Sequence, residues 1–156
     1  MGDFNRSTKE ISLDQIAPDV MQAVNAYIEK HNLGDILSDV SYCIVSTSEK
    51  IKKGLFNGPG PKLLFLTAIL TNRWLILAYQ ADKEPILART MQLRDITVED
   101  YEKSEFYKML PDTGLNISGI FTDAPEKGTF FLPLGKDAAG EGFKEAIIRS
   151  IQEAKK

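Results

Sequence analysis

The sequence predicts an α+β fold: an antiparallel β-sandwich, or partly open barrel, of about seven strands. A C-terminal amphipathic helix closes it and an N-terminal helical extension precedes it. Three observations carry this. From Lys62 to Tyr79, two apolar runs flank the turn-forming pair Thr71-Asn72, the pattern of a β-hairpin. Short β-branched and aromatic runs, punctuated by Gly, Pro and Asp, lie on both sides of that hairpin. Near the C-terminus, Phe143, Ile147 and Ile151 repeat every four residues, with Ala139, Ala146, Ile148 and Ala154 beside them, which makes one face of a helix over 138–154.

Residues 1–10 are polar and charged and are expected to be loose. Leu13, Ile16, Val20, Met21, Val24, Tyr27 and Ile28 then recur at helical spacing. Pro18 divides this stretch into a short turn near 13–17, capped by Ser12, and a main helix over 18–31 with proline in its first turn. Asn32 and Gly34 supply its stop, and a second helical turn fits 35–38. The first strand begins at Val40 and runs through 42–47. It continues over 49–53 as a polar edge or gives way there to a helical turn. Residues 54–61 are a loop dense in glycine and proline.

After the hairpin, 81–85 is a turn, and 86–91 and 96–101 read as strands, with 92–95 between them or bent within one long strand. Residues 103–110 hold Phe106, Tyr107, Met109 and Leu110 among charges, as a loop or short helix. Strands at 115–121 and 129–134 follow, with a turn at 123–128. Pro133 suits a strand end or sheet edge. Asp137 is placed to cap the last helix, and Lys155-Lys156 suit its C-terminal dipole.

The hairpin arms do not alternate between apolar and polar. Leu64, Leu66, Ala68 and Leu70 share one face of the first arm, and Leu63, Phe65 and Ile69 share the other. Trp74, Ile76 and Ala78 oppose Leu75, Leu77 and Tyr79 on the second arm. A sheet with one wet face should alternate, so something covers the second face: the N-terminal helical segment or another subunit. Lys62, Asn72 and Arg73 interrupt the stretch, which falls short of the roughly 20 apolar residues of a spanning helix.

The 156 residues suit a single domain, and 43% hydrophobic with 26% charged residues is ordinary for a soluble protein. A net charge of −3, with no basic stripe interleaved with aromatics, argues against nucleic-acid binding. Lone Cys43 cannot form an internal disulfide and fits a reducing compartment as a small buried hydrophobe. The polar N-terminus lacks a signal-peptide core, Arg6 breaks a myristoylation motif, and a cytoplasmic location is expected. His31, the only histidine, sits in the last turn of a helix without metal-ligand partners. No phosphate loop, dinucleotide fingerprint, cofactor motif or nucleophile–base pairing stands out, and Glu99, Asp100 and Glu102 read as a solvated acidic turn. No catalytic activity is expected.

Ala68-Ile69-Leu70-Thr71-Asn72-Arg73-Trp74-Leu75-Ile76 resembles the hairpin motif of bacterial pleckstrin-homology-like (PH-like) and GRAM-like domains, and Leu93-Arg94-Asp95-Ile96-Thr97-Val98 resembles the step that follows it there. The resemblance covers 40–154. It implies an extension over 1–38, a PH-like domain over 39–156, and lipid, peptide or protein binding rather than one fixed function. In these motifs Asn72 tolerates a positive φ, Arg73 can bond turn carbonyls or Asp95, and Trp74 can anchor the core.

The leading expectation is a protein-interaction or self-assembly module with a protein partner or a second copy of itself. Phe65 and Leu77 are the interface candidates. The alternative is peripheral binding to anionic phospholipid through Lys50, Lys52, Lys53 and Lys62, with Arg73 added to the set. Against it, Lys62 is followed by Leu63-Leu64-Phe65 where a lipid-binding PH domain would carry a basic-x-basic pair.

Overall fold

The computed structural model describes residues 4–51 and 62–156. Seven antiparallel strands form one meandering sheet curled into a half-barrel: β1 (Phe4–Glu10), β2 (Val40–Lys50), β3 (Leu63–Thr71), β4 (Trp74–Ala81), β5 (Leu87–Asp100), β6 (Gly114–Phe121) and β7 (Lys127–Pro133). Helix α1 (Pro18–Lys30) lies between β1 and β2, and α2 (Ala138–Ala154) follows β7. The α+β class, the number of strands and both helices agree with the sequence reading.

The seven strands are not the expected seven. Residues 86–101 form one long strand, β5, whose register against β6 jumps between Met91 and Ile96. The missing strand is supplied by the N-terminus. Residues 4–10 are not loose but pair with β2 from Phe4↔Lys50 to Glu10↔Ile44. After Phe4, their inward side chains Arg6 and Thr8 are polar, so apolar alternation could not reveal them. Thr8 and Ser46 face each other through their hydroxyls at 3.3 Å, and Arg6 reaches Ser48 at 2.6 Å. The sheet therefore extends across the 38/39 boundary, and β2 is an interior strand rather than a polar edge.

The hairpin joins two cores. Leu66, Ala68 and Leu70 of β3, with Leu75 and Leu77 of β4, point inward and pack with Phe143, Ile147 and Ile151 of α2. Cys43, Ile69, Ile76 and Ala78 point outward, and Val24 of α1 covers them with Ile16 and Ile36. The second apolar face is thus buried by the N-terminal segment of the same chain. Each such aliphatic side chain contributes about 1.5–3 kcal/mol relative to exposure. Trp74 is half-buried at the margin of the outer core rather than at the centre.

Local signals explain the element ends. Pro18 opens α1, and Asn32 takes the left-handed conformation (φ 53°) just after it. Gln15 accepts the Ser12 N–H at 2.8 Å in the preceding turn. Asp137 caps α2 by accepting the Gly140 N–H at 2.9 Å. Asn72 does not adopt the expected positive φ. The β3–β4 turn is held instead by the Thr71 hydroxyl, which accepts the N–H groups of Arg73 (3.2 Å) and Trp74 (2.9 Å).

The sheet's ends meet at a polar seam. Thr8 of β1 donates its N–H to Asp137 at 2.8 Å, and its hydroxyl accepts the Gly135 N–H at 2.8 Å. Gly135 has to be glycine: a Cβ there would stand 2.8 Å from Ser7 Cα and 2.9 Å from the Arg6 carbonyl oxygen. Ser46 donates to the Pro133 carbonyl at 2.8 Å, so side chains replace a backbone ladder between β1–β2 and the end of β7.

Candidate interaction surface

The connection between β5 and β6, residues 101–113, stands over this seam and is pinned at both roots. At the first root, Asp100 accepts the Glu102 N–H at 3.1 Å and opens a single 3-10 turn, Tyr101–Lys103. Lys144 of α2, nearly buried, places its Nζ 3.3 Å from Asp100, 3.5 Å from Glu141 and 4.0 Å from Glu102. Lys136 adds a 2.8 Å contact to Glu102, and that carboxylate raises the Lys136 pKa. Asp100 and Glu102 of the acidic turn are therefore ion-paired with Lys136 and Lys144 rather than solvated, while Glu99 stays exposed. The reason is tertiary: both lysines come from the far end of the chain.

At the second root, Arg6 forms a two-pronged pair with Asp112, Nε to Oδ1 and Nη2 to Oδ2, both at 2.6 Å. The Arg6 side chain is 7% exposed and lies between the rings of Phe4 (4.6 Å) and Phe131 (5.4 Å). Next to it, the Thr113 hydroxyl donates to the Leu134 carbonyl at 2.5 Å and the Leu134 N–H donates back to the Thr113 carbonyl at 3.2 Å.

The middle of the loop is also tied. The Leu110 N–H bonds the Phe106 carbonyl at 2.9 Å, and the Leu110 carbonyl accepts the Tyr101 hydroxyl at 2.7 Å. The tip nonetheless faces solvent with large apolar side chains: Phe106 is 55%, Met109 83% and Leu110 67% exposed. Beneath it lies a cavity of about 380 Å³, lined by Phe4, Arg6, Tyr107, Pro111, Asp112 and Lys136. Grouped exposed apolar side chains of this kind mark contact surfaces.

The structure separates the residues singled out by sequence. Lys50 and Lys62 are neighbours, joined by a 2.8 Å bond from the Lys50 N–H to the Lys62 carbonyl. The Asp82 carboxylate sits beside them and accepts the Lys62 and Leu63 N–H groups at 3.1 and 3.0 Å. Lys52, Lys53 and the glycine- and proline-rich loop lie outside the described residues. Arg73 is exposed at the opposite end of β3–β4 and, among the described residues, forms no ion pair with Asp95; its carbonyl accepts the Leu93 N–H. Phe65 is 41% exposed on the outer face, beyond the patch α1 covers. Leu77 is fully buried in the inner core and offers no surface, because its β4 position points at α2 and not at solvent.

The reactive residue types are placed quietly. Cys43 is buried beneath α1, and loss of solvation pushes its thiol up to about 11, so it stays protonated near neutral pH. His31 packs on Tyr27 with ring centres 4.3 Å apart. Among the described residues, no group of three or more His, Cys, Asp or Glu could hold a metal ion, and no helix is long and apolar enough to cross a membrane. Sequence reading missed Arg6, Asp112 and Lys144. The apolar run within 103–110 was visible but not its exposure. No family model, curated protein or solved structure matches the chain.

Proposed function

We propose that this chain is a non-catalytic, PH-like protein-interaction module that contacts another protein through the tip of the β5–β6 loop. One observation carries the reading: Phe106, Met109 and Leu110 are exposed on a loop whose roots are both fixed by ion pairs to distant strands and helices. An ordered loop loses little conformational entropy on docking, so its apolar side chains convert efficiently into affinity. Leu77 is buried in the inner core, and α1 covers the outer face of the hairpin next to Phe65, which favours a contact here over one at the hairpin.

The test is affinity capture with the wild-type chain, the double variant Phe106→Asp/Met109→Asp and the control Leu87→Asp, alongside light scattering of each protein alone. The reading predicts a saturable partner retained by wild type and the control and lost from the double variant, with all three proteins monomeric. A discrete oligomer that the double variant disrupts would make the partner a second copy of the chain. Equal capture by all three would refute the loop as the contact.

A further inference from the structure

The outer face of β5–β6–β7 carries a second, independent feature. Between Met91↔Phe121 and Ile96↔Gly119, four residues of β5 stand opposite one of β6, so β5 swings away from its neighbour. Gly119 makes the bend possible: its φ is +154°, and a Cβ there would lie 2.2 Å from the Asp95 carbonyl oxygen. The result is a groove of about 540 Å³. Its floor is a hydroxyl row, Thr97↔Ser118↔Thr129, in register across three strands, with Ser118 and Thr129 oxygens 3.2 Å apart. Arg94, Lys127 and Lys155 line it, against one carboxylate, Asp95.

Among the described residues, none of these three cations forms an ion pair, whereas Arg6, Arg89, Lys136 and Lys144 all do. Three unpaired cations around neutral hydroxyl donors, in a chain of net charge −3, form a local positive field with the donors a tetrahedral oxyanion needs. We infer that this groove binds a phosphate monoester, with Arg94 and the two lysines neutralising its charge and the hydroxyl row donating to its oxygens.

The source of the phosphate, a soluble ester or a lipid headgroup, is separated by the test. Isotope-labelled full-length protein is titrated with phenyl phosphate and followed by amide NMR. Co-sedimentation uses phosphatidylcholine vesicles with and without phosphatidylinositol 4-phosphate. The variants are Arg94→Glu/Lys127→Glu, for the groove, and Lys62→Glu, as a distant control; unchanged dispersion of the remaining amide signals shows that each is folded. The expected result is saturable shifts centred on Thr97, Ser118 and Thr129, weakened at least about tenfold by the double variant and by raised salt, and unchanged in the control. Vesicle sedimentation that needs both the phosphoinositide and the groove cations assigns the phosphate to a lipid. Shifts without sedimentation assign it to a soluble ester. Absence of both, or effects equal in the double variant and wild type, would overturn the inference.

Discussion

Arg6 and Asp112, 106 residues apart, hold each other through two hydrogen bonds of 2.6 Å at the corner where β1 meets the root of the β5–β6 loop. Phe4 and Phe131 shield the pair, and the third guanidinium donor goes to Ser48. Removing one partner leaves the other charged and short of partners in a poorly solvated place. Arg6→Ala or Asp112→Ala is expected to cost about 3–5 kcal/mol, and the double variant clearly less than the sum. Urea unfolding of the four proteins in a double-mutant cycle measures this.

Exposed and buried apolar positions should separate sharply under charge substitution. Phe106→Asp and Met109→Asp are expected to change stability far less than a core substitution, by about 0.5 kcal/mol for Met109 and about 1 kcal/mol or less for the half-exposed Phe106. Leu77→Asp places a carboxylate in the inner core and is expected to cost more than about 4 kcal/mol. Thermal unfolding of the three variants gives the comparison.

The seam at Gly135 predicts a local effect. In Gly135→Ala the added methyl meets the β1 backbone at Ser7 and the Asp137 carboxylate, so β1 must move away. Hydrogen exchange should then quicken at Thr8, whose N–H bonds Asp137, before it changes in the hairpin.

Cys43 gives a pH signature. Its folded thiol is raised to about 11 by burial, above its value in the unfolded chain, so the folded state holds the proton more tightly. The associated stability is complete below the unfolded pKa of about 8.5 and is lost as pH rises through the folded value. Cys43→Ala is expected to flatten the decline in unfolding free energy over that window, measured by denaturant titration at several pH values.

The fold was largely legible in the sequence because its hairpin and C-terminal helix are written in apolar periodicity. Leu66, Leu70 and Leu77 on one side and Ile69 and Ile76 on the other announced two buried faces. What stayed hidden was polar. β1 pairs through Arg6 and Thr8, whose partners Asp112 and Asp137 lie over 100 residues away, and no local pattern encodes such distances. The same holds for Lys144, which sits mid-helix among charges and proves to be buried against Asp100. Leu77 lies in the inner core and not at a surface; strand parity says that two faces exist but not which one closes on a helix.

The most direct measurement is site-specific photocrosslinking, with benzoylphenylalanine placed at position 106, 65 or 87 in otherwise wild-type protein. The account predicts one saturable protein adduct at 106, competed away by unlabelled wild type but not by Phe106→Asp/Met109→Asp, and none at 65 or 87. An adduct of equal strength at 65, or competition by the double variant, would contradict a contact built on the β5–β6 loop.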